Sequence, residues 1–279
     1  MRYHPSPMLT GTALIDDINA CQVSHKQCAY WWLGQHGFAV KLGRAVLYID
    51  PYISPDKARQ IAPIVKAEEI TNATLVLGTH DHSDHIDRPA WPAIASASPK
   101  ARFIVPKMFE QKISRELSIV QDRVLGVDQE ITVEVDGITV TAIPAEHEFL
   151  DIDPKTGLHP YVGYIIQGNG MTLYHAGDTC VYEGMQGLLR QWKLDLAFLP
   201  INGRDARRYT GHCAGNMTFQ EAVDLAGTIK PGMTVPTHFE MFAMNSENPQ
   251  LFVDYLQAKY PGVKTQIPVH GQRTMVSAG

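Results

Sequence analysis

Apolar and polar positions alternate along much of this chain in short runs separated by glycine and proline. Residues 28–33, 38–42 and 45–50 predict three strands, joined by turns at 34–37 and 43–44, as in a β-meander. The third run ends at Asp50-Pro51, where a proline lacking an N–H stops the ladder. Residues 52–70 contain Pro55 and Pro63 and read as a loop with a short helix. The apolar run at 74–79 predicts a buried strand. Asp87 can cap a helix with Pro89 in its first turn, running to about Ser96. Residues 102–106 predict a strand and 107–117 a helix.

The second half opens with two alternating runs, 131–135 and 138–143, around Asp136-Gly137, a strong hairpin signal. A second strand pair, 161–167 and 171–174, is joined through 168–170. A helix over 184–192, a strand over 194–200 and a loop over 201–216 follow. Thr218 and Glu221 have capping-box spacing and open a helix to about Thr228. A strand over 233–237, a helix over 248–259 broken by Pro261-Gly262, and a closing strand over 263–269 complete the chain. Residues 1–27 read as an arm or a short helix. No repeat, low-complexity segment or linker divides the sequence, so residues 1–279 are expected to form one domain. Two β-rich halves carrying helices suggest an α/β protein, an αββα sandwich of two mixed sheets with helices on the outer faces.

At 44% hydrophobic and 19% charged residues the chain can bury a sizeable core. A formal net charge of −5 argues against a protein that coats nucleic acid. The four cysteines, Cys21, Cys28, Cys180 and Cys213, are scattered and do not read as a disulfide framework. The opening residues lack the apolar core of a signal peptide, and no stretch approaches the ~18 apolar residues of a membrane helix. A cytoplasmic protein with no membrane partner is the expectation.

The chemistry is concentrated at residues 79–87, T-H-D-H-S-D-H-I-D. His80, His82, Asp84 and His85 are four candidate ligands within six residues. If the chain stays extended, His80 and His82 point to the same side and can grip one ion. No single ion easily takes all four, so Asp84 and His85 point to a second. A lone histidine is usually a surface or packing residue. Three histidines and two aspartates over residues 80–85 gain nothing from packing and would be poorly satisfied without metal. Two ions need further ligands, and strand ends hold them most rigidly. His147, Asp178 and His238 each follow a predicted strand downstream, with Gly177 allowing a sharp turn before Asp178. Glu146 and Glu148 remain alternatives to His147. All these donors are nitrogen or oxygen, which suits zinc or manganese, with iron also compatible.

The motif at 79–87 resembles the signature of the metallo-β-lactamase fold superfamily. Together with W-W-L-G at 31–34, Y-H-A-G-D at 174–178 and the N-M-T helix start at 216–218, its wording is most similar to the ascorbate-6-phosphate lactonases. The chain is shorter than those enzymes between the opening strands and the motif. The resemblance covers the chain from about residue 29 and implies the metallo-β-lactamase fold. It implies a first ion on His80, His82 and His147, a second on Asp84, His85 and His238, and Asp178 bridging both. It also leans towards manganese.

A water polarised by two cations would serve as the nucleophile, with Asp84 and Asp178 as catalytic carboxylates and the ions stabilising the oxyanion. The first functional reading is therefore a metal-dependent hydrolase in which a metal-bound hydroxide opens a small anionic lactone or ester. The alternative is a phosphodiesterase acting on nucleic acid or phospholipid. A di-iron redox protein or a non-catalytic metal protein ranks below both. Asn202, Arg204 and His212, in the 201–216 loop, are candidate contacts to an anionic substrate, against the reading of a solvated loop. His175 is expected to support ligands rather than bind metal. His36, His159 and His270 are expected in surface or packing roles, and His4 and His25 outside the chemistry. Homo-oligomerisation is compatible with a chain of this size.

Overall fold

The computed structural model describes residues 9–129 and 131–279. Residues 1–8, with His4 among them, and Glu130 lie outside the described residues. The described part of the expected arm carries a helix, α1 (Gly11–Ala20). The meander follows as β1 (Gln27–Gly34), β2 (Gly37–Leu42) and β3 (Ala45–Ile49). Then come β4 (Leu75–Leu77), α2 (Trp91–Ala97), β5 (Arg102–Pro106), α3 (Glu110–Leu117) and β6 (Val124–Val127). The second half holds β7 (Thr132–Val135), β8 (Ile138–Pro144), β9 (Val162–Gly168), β10 (Met171–His175), α4 (Met185–Leu189) and β11 (Leu196–Pro200). It ends with α5 (Ala206–Thr210), α6 (Phe219–Ile229), β12 (Thr234–Thr237), α7 (Pro249–Lys259) and β13 (Arg273–Ser277).

These strands form two mixed sheets, in the orders β13-β1-β2-β3-β4-β5-β6 and β12-β11-β10-β9-β8-β7. The period of two along each strand sorts its side chains between two cores. Tyr30, Trp32, Phe38 and Val40 join the core between the sheets. Their neighbours Trp31, Leu33 and Ala39 join an outer core with Leu14 and Ile18 of α1, Ile94 of α2 and Ile113 of α3. Helices α4, α6 and α7 bury Leu189, Val223 and Phe252 with the second sheet. Both faces of β1–β5 are thereby covered, which explains their near-continuous burial, while the edge strands β7 and β13 alternate with exposed residues. The αββα sandwich expected from the sequence is the fold observed. Among the described residues no helix is long and apolar enough to cross a membrane.

Both expected hairpins form, and their turns have positive φ at both central residues: Asp136 and Gly137, then Asn169 and Gly170. The capping box is also made, with Thr218 Oγ1 accepting from Glu221 N at 3.3 Å and Glu221 Oε2 from Thr218 N at 2.9 Å.

Four expectations are corrected. Residues 263–269 form no strand; only Thr265 bridges to Thr234, Pro268 lacks the donor a ladder needs, and the chain crosses back so that β13 pairs with β1. Asp87 does not cap the helix after the motif. It is buried and accepts from Ile53 N at 2.9 Å and Ser54 N at 2.7 Å, and α2 starts at Trp91. The 201–216 loop contains α5, capped by Asp205, whose carboxylate accepts from Arg208 N at 2.8 Å. Finally, β6 continues the first sheet beyond β5, where no strand is expected from the sequence pattern.

Candidate metal centre

The loops after β4, β8, β10 and β12 meet at one edge of the sandwich and bring all seven sequence-predicted ligands together. The motif is not extended as expected. Residues 82–86 close a turn, with Ile86 N donating to His82 O at 2.8 Å. His80 and His82 still converge, with Nε2 of one 2.9 Å from Nδ1 of the other. Donor atoms of His80, His82 and His147 lie within 4.8 Å of one another, and so do those of Asp84, His85 and His238. Asp178 stands between the groups. Its Oδ1 is 3.4 Å from His85 Nε2, and its Oδ2 is 3.8 Å from His147 Nε2 and 3.1 Å from His238 Nε2. Gly177 at φ +61 permits this placement; a Cβ there would stand 2.6 Å from the Val162 carbonyl oxygen.

These atoms fit cations. His85 Nε2 and Asp178 Oδ1 are buried and make no hydrogen bond, although they face each other. Such atoms are costly to bury unpaired. Donors held about 2.0–2.2 Å from one ion stand roughly 3 Å apart, close to the spacing seen here. Neighbouring groups turn the free nitrogens inward. Asp50 Oδ2 accepts from His85 Nδ1 at 2.7 Å, and Gly215 O accepts from His147 Nδ1 at 3.1 Å. Thr79 Oγ1 donates to Asp50 at 2.8 Å, so its lone pair is left for His80 Nδ1–H at 3.1 Å.

Burial pushes the pKa of His80 and His82 below the usual histidine range, leaving neutral imidazoles ready to donate a lone pair. Burial also opposes charge on His85, but Asp178, Asp50 and Asp84 outweigh it and hold its pKa well above that range. In the metal-free protein the three carboxylates therefore favour the protonated ring of His85. A cation binding at Nε2 must displace that proton, so affinity at this site is expected to fall as pH is lowered. Calorimetric titration in buffers of different ionisation enthalpy should show proton release on metal uptake; a buffer-independent heat would contradict this.

A cleft of about 570 Å³ opens over the centre. Its floor includes His82, Asp84, His147 and Asp178, and Tyr52, Phe242 and Met244 form apolar walls. His212 is exposed and lines the cleft. Asn202 does not line it; fully buried, it donates to Asn245 Oδ1 at 2.7 Å and supports the wall from behind. Arg204 does not line it either. Its Nη1 and Nη2 both donate to the Glu221 carboxylate at 2.7 Å, because the capping box presents that carboxylate beside it. The described lining residues include no lysine or arginine.

Other histidines serve packing. The His36 and His175 rings lie 4.1 Å apart, tilted by 32°, and each donates Nε2–H to a backbone carbonyl at 2.9 Å: Gly177 and His36 respectively. His159 pairs with Asp128, His270 with Leu33 O, and His25 is exposed. Two residues that sequence reasoning missed complete the surroundings, Asp50 behind His85 and Gln35 beside Asp84 and His238. Asp50 directly follows β3, so the strand-end rule applied upstream of the motif would have found it. Gln35 sits in a turn and carries no sequence signal.

A family profile described as a beta-lactamase superfamily domain matches residues 46–239. A protein of Archaeoglobus fulgidus named a metal-dependent hydrolase is 30% identical over 245 residues, covering 86% of this chain and 96% of the relative. One of the same name from Sulfurisphaera tokodaii is 27% identical, covering 86% and 96%. Among solved structures, a metallo hydrolase of Ignicoccus hospitalis superposes with a TM-score of 0.69 at 22% identity, over 89% of this chain and 98% of its own.

Proposed function

This chain belongs to the beta-lactamase superfamily, and from that premise we propose that it is a two-metal hydrolase that opens a small lactone or ester. The observation that carries this reading is the convergence of seven nitrogen and oxygen donors, two of them buried without a hydrogen bond, beneath an open cleft. When bound, the cations supply a nucleophilic water at neutral pH and polarise the bond under attack. The chain's own residues hold and orient. Asp178 reaches both ligand groups, Asp50 and Thr79 fix the rings of His85 and His80, and Tyr52, Phe242 and Met244 give the cleft an apolar side.

The cleft has the size of a small-molecule site. With Arg204 engaged by Glu221, the anion clamp expected from the sequence is absent from the described lining. That favours a substrate with an apolar face and little negative charge, whose anionic group, where it has one, meets His212 at the exposed side. Manganese fits the second group, which includes the Asp84 carboxylate, and zinc or iron fits the all-histidine first group.

The test uses metal-depleted protein reloaded with manganese or zinc. A neutral lactone, ascorbate 6-phosphate and a generic phosphodiester are compared. Lactone opening that disappears with chelator and returns with metal is expected. His212→Ala should raise KM several-fold while kcat changes little. Phosphodiester cleavage exceeding lactone opening would overturn the substrate class and support the phosphodiesterase reading.

A further inference from the structure

We propose that Gln35 is an eighth metal ligand, its side-chain carbonyl oxygen completing the second cation site made by Asp84, His85, Asp178 and His238. The assignment rests on the two-metal reading above and adds a ligand that the motif and its strand-end partners do not contain.

Gln35 is fully buried in the turn between β1 and β2. Its Nε2 stands 3.1 Å from Asp84 Oδ2 and 3.2 Å from His238 Nε2. The same His238 nitrogen is 3.1 Å from Asp178 Oδ2, and His85 Nε2 is 3.4 Å from Asp178 Oδ1. Two donors about 2.1 Å from one ion, subtending 90–110° at it, stand roughly 3.0–3.4 Å apart. The amide head therefore occupies a ligand's place in the ring of donors.

Its other atom supplies the second observation. Gln35 Oε1 is buried with no hydrogen-bond partner. A half-turn of the amide exchanges Oε1 and Nε2, which are nearly identical in shape. The oxygen would then lie beside Asp84 Oδ2 and His238 Nε2. An acceptor among acceptors is repulsive there unless a cation is shared between them. With a cation present, the half-turn turns the unpartnered oxygen into a ligand.

The backbone holds the amide in position. Gln35 adopts φ +53, uncommon for a residue with a side chain. Its carbonyl accepts from Trp32 Nε1 at 3.1 Å and from the His238 backbone N–H at 3.0 Å. The turn is thus tied to a core tryptophan and to a ligand loop. A neutral amide oxygen is a hard donor, and it would bring the second site to five protein ligands. That set favours an ion of higher coordination number, such as manganese, over a four-coordinate zinc.

The experiment titrates metal-depleted wild type and Gln35→Met with manganese, following stoichiometry and both affinities. Methionine has similar length and no amide. The wild type should take two ions. The variant should keep the affinity of the first and lose about tenfold or more on the second. Two ions with both affinities unchanged would overturn the Gln35 assignment alone. Fewer than two ions in the wild type would overturn the two-metal reading together with it. Because Gln35→Met alters a buried turn, the manganese-loaded wild type should also be crystallised. Oε1 is expected within about 2.1–2.3 Å of the second ion, and an amide beyond 3 Å would overturn the assignment.

Discussion

Replacing Asp178 with alanine should abolish turnover and weaken metal binding in both ligand groups. Among the residues at the centre it is the one whose oxygens face His85 and His238 on one side and His147 on the other, at 3.4, 3.1 and 3.8 Å. Loss of a residue that merely orients a ligand costs about 10–100-fold in metal affinity or activity. A shared anionic donor should cost at least a hundredfold at each site. The carboxylate is suited to this role before any ion arrives. Burial would favour its neutral form, but His238 and His85 hold its pKa well below the usual carboxylate range, so it is ionised at working pH. Asp178→Asn keeps the shape and one oxygen donor while losing the charge, so it should fall between wild type and alanine. Metal analysis and turnover on the three proteins decide the matter. An alanine variant that still holds two ions at wild-type affinity would remove Asp178 from the centre.

The legibility of this site came from density and order. Three histidines and two aspartates over residues 80–85 have no packing explanation. The strand-end rule then found His147, Asp178 and His238, because the ends of β8, β10 and β12 reach the same edge as the end of β4. Local chemistry was equally readable where it acts through the backbone, as in the Asp136-Gly137 turn and the Thr218–Glu221 capping box. What escaped was decided by tertiary pairing. β3 lies parallel to β4, which carries Asp50 to the edge where His80 stands. The closing strand joins the first sheet rather than the second, a choice invisible in residues 263–277 themselves. Arg204 looked free to meet an anion because no local pattern shows that Glu221, occupied with its cap, also receives a guanidinium. Gln35 was missed for a related reason. A glutamine after a glycine suggests a turn, and nothing in one sequence announces a positive φ that aims its amide at two ligands.

Asp50 carries the second large effect, because it serves folding and metal binding through the same two oxygens. It is fully buried and accepts from Thr79 N and Thr79 Oγ1, both at 2.8 Å, and from His85 Nδ1 at 2.7 Å. Asp50→Ala leaves these donors unpaired, including a histidine whose protonated form Asp50 helps to stabilise. Breaking a buried pair by removing one partner costs about 3–5 kcal/mol. For a chain of this length that corresponds to a fall in Tm of roughly 10 °C in metal-depleted protein. Alanine also fits poorly at the Asp50 φ of +45, where asparagine is tolerated. Asp50→Asn should therefore keep more of the stability, since its amide oxygen can still accept from Thr79. Its one oxygen can take the place of Asp50 Oδ1, which accepts from Thr79 N, or of Oδ2, which accepts from Thr79 Oγ1 and His85 Nδ1, but not both. If its NH₂ faces the ring, the imidazole proton moves to Nε2, the nitrogen that must bind the cation. Metal affinity should then drop by about 10–100-fold even though the fold is largely kept. Thermal unfolding separates the two variants by stability, and metal titration should bring them together. Wild-type metal affinity in Asp50→Asn would show that His85 needs no carboxylate to present Nε2, leaving Asp50 a folding role alone.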